Sequence, residues 1–350
     1  MRVLVTGHDG YLGSVLAPRL QRADFEVTGV DNYSTGQGSA SVFNADFQQI
    51  AADFRDLREH TLKGYDAIVH LAAVDGQAAT GIDPKLSDSI NRIGTLKLAS
   101  RARAAGIRRF VFASSYKVYD GSTPQRCHDE ESDPNPASSF GASKAAAESG
   151  LLSLADRRFE PLILRIGSVF GPSPNLRLDT FINNLVAWAA TKGRVLLGST
   201  GTAFRPTVHV EDVAETIATI LSHPSRGESI LNVCDGNSHR RVREVAEVVQ
   251  EVVPHSMVEF SANARPDPLS YRVSNARLRR VYPNLRKFRS LSDGVLELHR
   301  TLRMLEVDST DIGAPQRNRA AGLAAQLAVA STPSPTVEAR ATLATSSGIS

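Results

Sequence analysis

Glycines at 7, 10 and 13, in the run Val3-Leu-Val-Thr-Gly-His-Asp-Gly-Tyr-Leu-Gly13, are the first residues whose type and spacing suggest chemistry. Glycine accepts positive φ and has no Cβ, so such a turn lets backbone N–H groups approach a pyrophosphate at the positive end of a helix. Asp31 follows roughly 20 residues later, the separation at which a dinucleotide fold places the carboxylate that takes ribose hydroxyls. A carboxylate there repels a 2′-phosphate, which selects NAD over NADP; the competing use of Asp31 is to start a turn. Asp53 has two readings as well, acceptor from an adenine amino group or plain turn residue. Small residues in Leu71-Ala72-Ala73 leave room for a ligand against the backbone. A second reactive grouping is Ser114-Ser115-Tyr116-Lys117, at the end of the apolar run Phe110–Ala113.

Elements that position these residues follow from periodicity. Val3–Val5 is the short apolar run of a buried parallel strand, and Val15, Leu16 and Leu20 recur at helical spacing, so a strand enters a helix through the glycines. Further strands are expected at 26–30, 47–52, 67–70, 110–113 and 162–164. Asp83-Pro84 opens a helix with Leu86, Ile90, Ile93, Leu96 and Leu98 on its apolar face, ending near Ala105 before Gly106. Another helix spans about 141–159. This alternation predicts an α/β fold, a Rossmann-type doubly wound parallel sheet, over residues 1–170, with the 205–230 region returning to it. Helices near 180–191, 211–221 and 242–252 and a strand near Val195 suit a smaller C-terminal substrate-binding lobe, mainly 171–305. Residues 306–350, rich in Ala, Ser, Thr, Pro and Gly from about Asp308, read as a disordered tail.

At 350 residues the chain can bury a large core. Its 40 basic and 37 acidic residues leave a net charge of +3, which calls for neither nucleic acid nor an anionic membrane as partner. Cys127 and Cys234 make no disulfide framework and no zinc spacing. Cys127-His128-Asp129-Glu130-Glu131 is metal-like in composition only and reads as a loop, so no metal is expected. Met1 leads directly into the first strand, and no long uncharged apolar segment follows, the expectation being a soluble, cytoplasmic protein.

Taken in order, Thr6–Gly13, Asp31-Asn32-Tyr33-Ser34-Thr35-Gly36, His70–Ala73, Ser114-Ser115 with Val118-Tyr119, Ser143-Lys144 with Glu148, and Arg205-Pro-Thr-Val-His-Val-Glu-Asp-Val-Ala214 resemble the extended short-chain dehydrogenase/reductase superfamily, in its nucleotide-sugar epimerase and dehydratase branch. The resemblance covers about residues 1–300. It implies NAD held by Gly7, Gly10, Tyr11, Leu12, Gly13, Asp31, Asn32, Asp53, Phe54, Leu71, Ala72, Ala73 and Lys144. It also implies a nucleotide-diphosphate sugar as substrate, oxidised to a transient 4-keto intermediate and returned altered. Substrate contacts are expected from Asn183, from Arg205 on the diphosphate, and from Arg265 or Arg272 as a second clamp. The helices beginning near Pro84 and Gly141 resemble those that pair in family homodimers.

In the family a Tyr phenolate removes the hydroxyl proton, a Lys four residues later tunes that Tyr and holds the nicotinamide ribose, and a Ser or Thr orients the hydroxyl. Here Ser115 and Lys144 are present, but the Tyr position holds Phe140, which can neither accept nor donate a proton. Three accounts stand: an active enzyme whose base has moved, with Tyr116 the natural candidate; a sugar-nucleotide and NAD-binding protein without turnover; or an engineered Tyr-to-Phe variant of an ordinary epimerase. Tyr116 has its own bland reading as a packing aromatic. Tyr116-Lys117 replaces the acidic pair of 4,6-dehydratases, which disfavours that chemistry. His209 reads as a structural histidine, and the arginines between 277 and 289 as a solvated face.

Overall fold

The computed structural model describes residues 1–34, 47–74, 84–119, 121, 125–236, 239–314 and 317. Thr35, Gly36, Asp83 and the segment from 318 onward, on which sequence expectations also fall, lie outside the described residues. The strands are β1 (Arg2–Thr6), β2 (Glu26–Asp31), β3 (Gln48–Ala51), β4 (Ala67–His70), β5 (Arg109–Ser115), β6 (Cys127–His128), β7 (Glu160–Ile166), β8 (Ser168–Phe170), β9 (Arg194–Ser199), β10 (Thr207–His209), β11 (Ile230–Val233), β12 (Met257–Arg265) and β13 (Arg272–Val273). The α-helices are α1 (Gly13–Gln21), α2 (Glu59–Leu62), α3 (Pro84–Asp88), α4 (Thr95–Ala104), α5 (Ser139–Leu154), α6 (Phe181–Lys192), α7 (Val210–Ser222), α8 (Val242–Val252), α9 (Ala276–Val281) and α10 (Leu291–Met304).

β1, β4 and β5 are runs of Val, Ile, Phe and Ala because both faces of the sheet are covered. Alternate residues serve different cores. Val3, Val5, Val69 and Val111 join one apolar cluster with α1, while Leu4, Ile68, Phe110 and Phe112 join another with Leu98 and Leu151. The seven strands order as β11-β7-β5-β4-β1-β2-β3, and every neighbouring pair is parallel. This is the expected Rossmann-type sheet. Strand order reverses at β1, between β2 and β4, so the crevice beyond their C-terminal ends is where such a fold takes its ligand. The first apolar cluster continues into Val195 and Leu197 of β9, Val245 of α8 and Leu298 of α10, so the smaller lobe shares its core with the sheet.

Several elements differ from expectation. The helix from Pro84 is broken by a π-helical turn, Ser89–Gly94, that turns Asn91 inward. Cys127–His128 is not loop but a short strand paired in parallel with β13, which no local pattern could disclose. The arginines after residue 276 are not simply solvated. Arg277 pairs with Glu130, Glu131 and Glu228, and Arg289 pairs with Asp212. At the start of the 306–350 segment, Ile312 is buried and Val307 packs on the same core.

Beneath the crevice lies a buried polar chain. Arg165 on β7 and Glu148 on α5 form an ion pair at 2.8 Å, with each side chain 3% exposed. Glu148 also accepts a hydrogen bond from the Ser114 hydroxyl on β5. Arg165 donates to the Tyr119 phenol (3.0 Å), Tyr119 donates to Asn232 Oδ1 (2.8 Å), and Asn232 Nδ2 donates to the Ser274 carbonyl (2.9 Å). Every member has a partner, which is what a charged group needs to remain in a dry interior.

Removing one partner leaves an uncompensated buried charge. Arg165→Met should therefore lower unfolding stability by about 3–5 kcal/mol, and adding Glu148→Gln should recover part of the loss. Denaturant unfolding of the single and double variants measures this, and a loss under about 1 kcal/mol in Arg165→Met would contradict it. A Cβ on Gly13 would sit 2.0 Å from the Gly7 carbonyl oxygen, so Gly13→Ala should cost about 1–3 kcal/mol. Gly198→Ala, with nothing within 4 Å, is its control; equal melting temperatures for the two would refute the tight turn.

Candidate functional site

The glycine turn connects β1 to α1. Gly7 adopts φ +76°, and a Cβ on it would lie 2.7 Å from the Ala72 backbone nitrogen. Its N–H donates to the Val30 carbonyl, while the Thr6 carbonyl accepts from the N–H groups of Leu71 and Ala72. Thus the first loop and the loop after β4 are joined backbone to backbone, and their small residues permit it. Gly10 differs from its neighbours. A Cβ there would meet only the Gly7 carbonyl oxygen, at 3.1 Å, which leaves its outer side open for a ligand at the start of α1. Asp31 ends β2 beside this turn. Its carboxylate accepts from the N–H of Asp9 (3.2 Å) and the N–H of Tyr33 (2.9 Å), one bond per oxygen. Each oxygen keeps a lone pair, and the glycine cradle with Asp31 fits a dinucleotide.

Asp53 and Phe54 lie further round the same edge. Asp53 caps a short 3-10 turn and is paired with Arg55 at 2.7 Å, with Asn32 donating to it at 3.3 Å. The Arg55 guanidinium holds its carboxyl below the usual range. Its carboxylate is therefore engaged as a turn residue would be. The Phe54 ring is buried edge-on to His70, centroids 4.7 Å apart, so its side chain belongs to the core.

His70, at the end of β4, is fully buried, and burial pushes its pKa down to about 3. Thr95 donates its hydroxyl proton to the Asn91 carbonyl and so must accept from His70 Nε2 (2.9 Å), leaving Nδ1 to accept from Thr6 (2.6 Å). That chain fixes one neutral tautomer behind the cradle. Asn91 accepts from the Val74 N–H and donates to the Val74 carbonyl, holding the loop after β4 onto the π turn. Sequence reasoning passed over Asn91, since it sits unmarked inside an amphipathic pattern.

At the end of β5, α5 grips the strand twice. Lys144 Nζ donates to the Ala113 carbonyl (2.7 Å), and Glu148, one turn on, takes the Ser114 hydroxyl. Ser115 caps the following 3-10 turn by accepting from the Lys117 N–H. Phe140 lies half-buried in the first turn of α5, with Lys117 Nζ 5.5 Å and Lys144 Nζ 5.8 Å from its ring centroid. Lys144 and Phe140 thus lie together on α5, beside the turn that Ser115 caps. Tyr116 is buried, its ring edge-on to Tyr271 at 5.0 Å in an apolar cluster with Val118 and Val273. These are contacts a packing aromatic makes, and they turn the ring toward Tyr271.

The lobe residues fare differently. Asn183 is turned into the protein's own framework. It is fully buried, accepting from the Gly171 N–H and donating to the Tyr11 phenol and the Arg177 carbonyl. Tyr11 in turn donates to the Gly171 carbonyl (2.6 Å), so its side chain rivets the cradle to the second lobe, and burial raises its pKa. Arg205 donates to the carbonyls of Phe204 and Leu269 and lies 3.6 Å from Asp267. Beside it opens a groove of about 680 Å³ whose lining includes Gln125, Phe204, Arg241, Asp267 and Arg272. Arg272 faces this groove, its Nε buried without a hydrogen-bond partner, whereas Arg265 is exposed at the end of β12 and outside the lining. His209 caps α7, and burial pushes its pKa down to about 3, as befits a structural histidine. Among the described residues no three His, Cys, Asp or Glu side chains group to hold a metal, and no helix is long and apolar enough to cross a membrane.

Similarity to known proteins agrees with this geometry. A UDP-glucose 4-epimerase of Streptomyces lividans is 30% identical over 281 residues, covering 75% of this chain and 84% of that protein. The structure of MoeE5 in complex with UDP-glucuronic acid and NAD is 28% identical, with a TM-score of 0.74 over 87% of this chain and 100% of that one. An NAD-dependent NDP-hexosamine 5,6-dehydratase, TunA, shares the fold at 22% identity, with a TM-score of 0.77 over 87% of this chain and 98% of that one. Residues 3–234 match the NAD dependent epimerase/dehydratase family, and the chain belongs to that family.

Proposed function

We propose that the protein is an NAD-dependent nucleotide-diphosphate-sugar epimerase, or a close sugar-nucleotide-modifying relative, working through a transient 4-keto sugar. The observation that bears most weight is that Lys144 and Phe140 on α5 lie beside the turn capped by Ser115 at the end of β5, in a sheet whose switch point is next to the glycine cradle. Gly7, Gly10 and Gly13 would cradle the pyrophosphate of NAD, Asp31 its adenosine ribose, and Lys144 its nicotinamide ribose. Bound there, NAD supplies a reversible acceptor for the hydride of a sugar carbon. Ser115 orients the sugar hydroxyl. Arg272, which lines the groove, and Arg205 beside it would hold the diphosphate, and guanidinium forks suit that anion. The second lobe covers the crevice and, through the Tyr11–Gly171–Asn183 junction, keeps it in register with the cradle.

The helix pair of α4 and α5 suits a homodimer in the cytoplasm. Ile93, in the π-helical turn before α4, is 49% exposed and Leu152 on α5 is 37% exposed, apolar surface that a second copy would cover.

Purified protein is expected to release NAD on denaturation, and to convert at least one of UDP-glucose and UDP-glucuronic acid to its C4 isomer, followed by chromatography. Bound NAD with no conversion of any nucleotide sugar would favour a binding role, and absence of any bindable dinucleotide would refute the reading. Ile93→Glu should shift a dimer toward monomer in sedimentation without reducing NAD binding. A wild-type protein that is already monomeric would overturn the dimer.

A further inference from the structure

Phe140 removes a proton-transfer group, yet the structure places two amines against its ring. Lys144 is committed: it is 3% exposed, donates to the Ala113 carbonyl, and lies 4.5 Å from the Phe112 ring centroid. Lys117 differs in origin and surroundings. It comes from the 3-10 turn after β5, is half-buried, and holds Nζ 5.5 Å from the Phe140 centroid. Its backbone is fixed at both ends. The Lys117 N–H donates to Ser115 Oγ (3.2 Å), and its carbonyl lies so close to α5 that a Cβ on Gly141 would sit 2.3 Å away. The turn is therefore clamped to α5 immediately after Phe140, and the Lys117 amine is held over the ring whose hydroxyl is missing. Tyr116, the other titratable side chain of this turn, is buried with its ring edge-on to Tyr271.

We propose that Lys117 is the proton-transfer group of this site, taking the place of the absent phenol. The proposal rests on the function proposed above. The O–H bond of the sugar hydroxyl breaks and an N–H bond forms on the Lys117 amine. The oxygen's electron pair closes the carbonyl as the carbon's hydrogen departs as hydride. The sugar carbon is oxidised, and oxidised nicotinamide dinucleotide, the oxidant by class, is reduced. In the return half-reaction the ammonium gives the proton back to the oxygen. A flexible four-carbon stem with rotatable donors suits a proton carrier that must follow an oxygen through this change.

Lys117→Met should lower kcat for conversion of UDP-glucose or UDP-glucuronic acid on the order of 10³-fold, with KM within about threefold. Lys117→Arg should not rescue it, because a guanidinium stays protonated. Adding Phe140→Tyr to Lys117→Met should restore turnover by supplying the phenol. A readout independent of turnover is reductive methylation of the dinucleotide-free protein, followed by peptide mass spectrometry. UDP-glucose should slow labelling of Lys117 and leave exposed Lys63 and Lys287 unchanged. Unchanged kcat in Lys117→Met, activity retained in Lys117→Arg, or no protection by UDP-glucose would overturn the proposal. So would a defect confined to KM for UDP-glucuronic acid, which would make Lys117 a carboxylate contact. If the wild-type protein converts no nucleotide sugar, the function itself fails and the base role with it; if it turns over but tolerates Lys117→Met, only the base role fails.

Discussion

The buried Glu148–Arg165 pair is the constraint around which the catalytic edge of this protein is arranged. Two charges in a dry interior are costly unless their remaining bonding capacity is met, and here it is met by groups that each belong to a different element. Ser114 brings β5 and Tyr119 the segment after it, and Tyr119 extends the chain to Asn232 on the edge strand β11 and, through Asn232, to Ser274 in the second lobe. The pair therefore sets where α5 lies along β5 and β7. Because Lys144 is one turn before Glu148 on the same helix face, fixing Glu148 also fixes the Lys144 ammonium on the Ala113 carbonyl. The position of the Lys144 ammonium is thus determined by a charge pair one helical turn away.

The cradle is held by a different force. No charge is involved; the loops after β1 and β4 meet through backbone hydrogen bonds to Thr6 and through the absence of side chains at Gly7 and Gly13. Such contact depends on residue types that are local in sequence, which is why Gly7, Gly13, Asp31 and the strand at 67–70 could be read directly. Strand ends, helix starts and the switch point follow from the same short-range patterns. What could not be read lies at long separation. The family resemblance implies a substrate contact at Asn183, whereas its partners here, Tyr11 and Gly171, are brought to it only by folding. The pairing of β6 with β13 joins residues 127–128 to 272–273, and the salt links of Arg277 reach back to Glu130. Asn91 escaped notice because a π turn has no composition of its own.

Separation of framework from chemistry explains how Phe140 can occupy a position where the family resemblance implies a phenol. The bond that links residue 140 to its surroundings is a backbone one, the Ser143 hydroxyl donating to its carbonyl at 2.8 Å. The ring meets Lys117 and Lys144 through its face, a contact that a hydroxyl at the ring edge does not alter. Loss of the hydroxyl therefore leaves no buried donor or acceptor stranded, the usual source of a large penalty when a polar group is removed. By contrast Glu148, Arg165 and Tyr119 cannot change singly without leaving a partner unsatisfied. The framework thus resists substitution where it holds the site together and tolerates it where the proton is handled, so a new proton carrier could arise beside residue 140 without disturbing the fold that presents it.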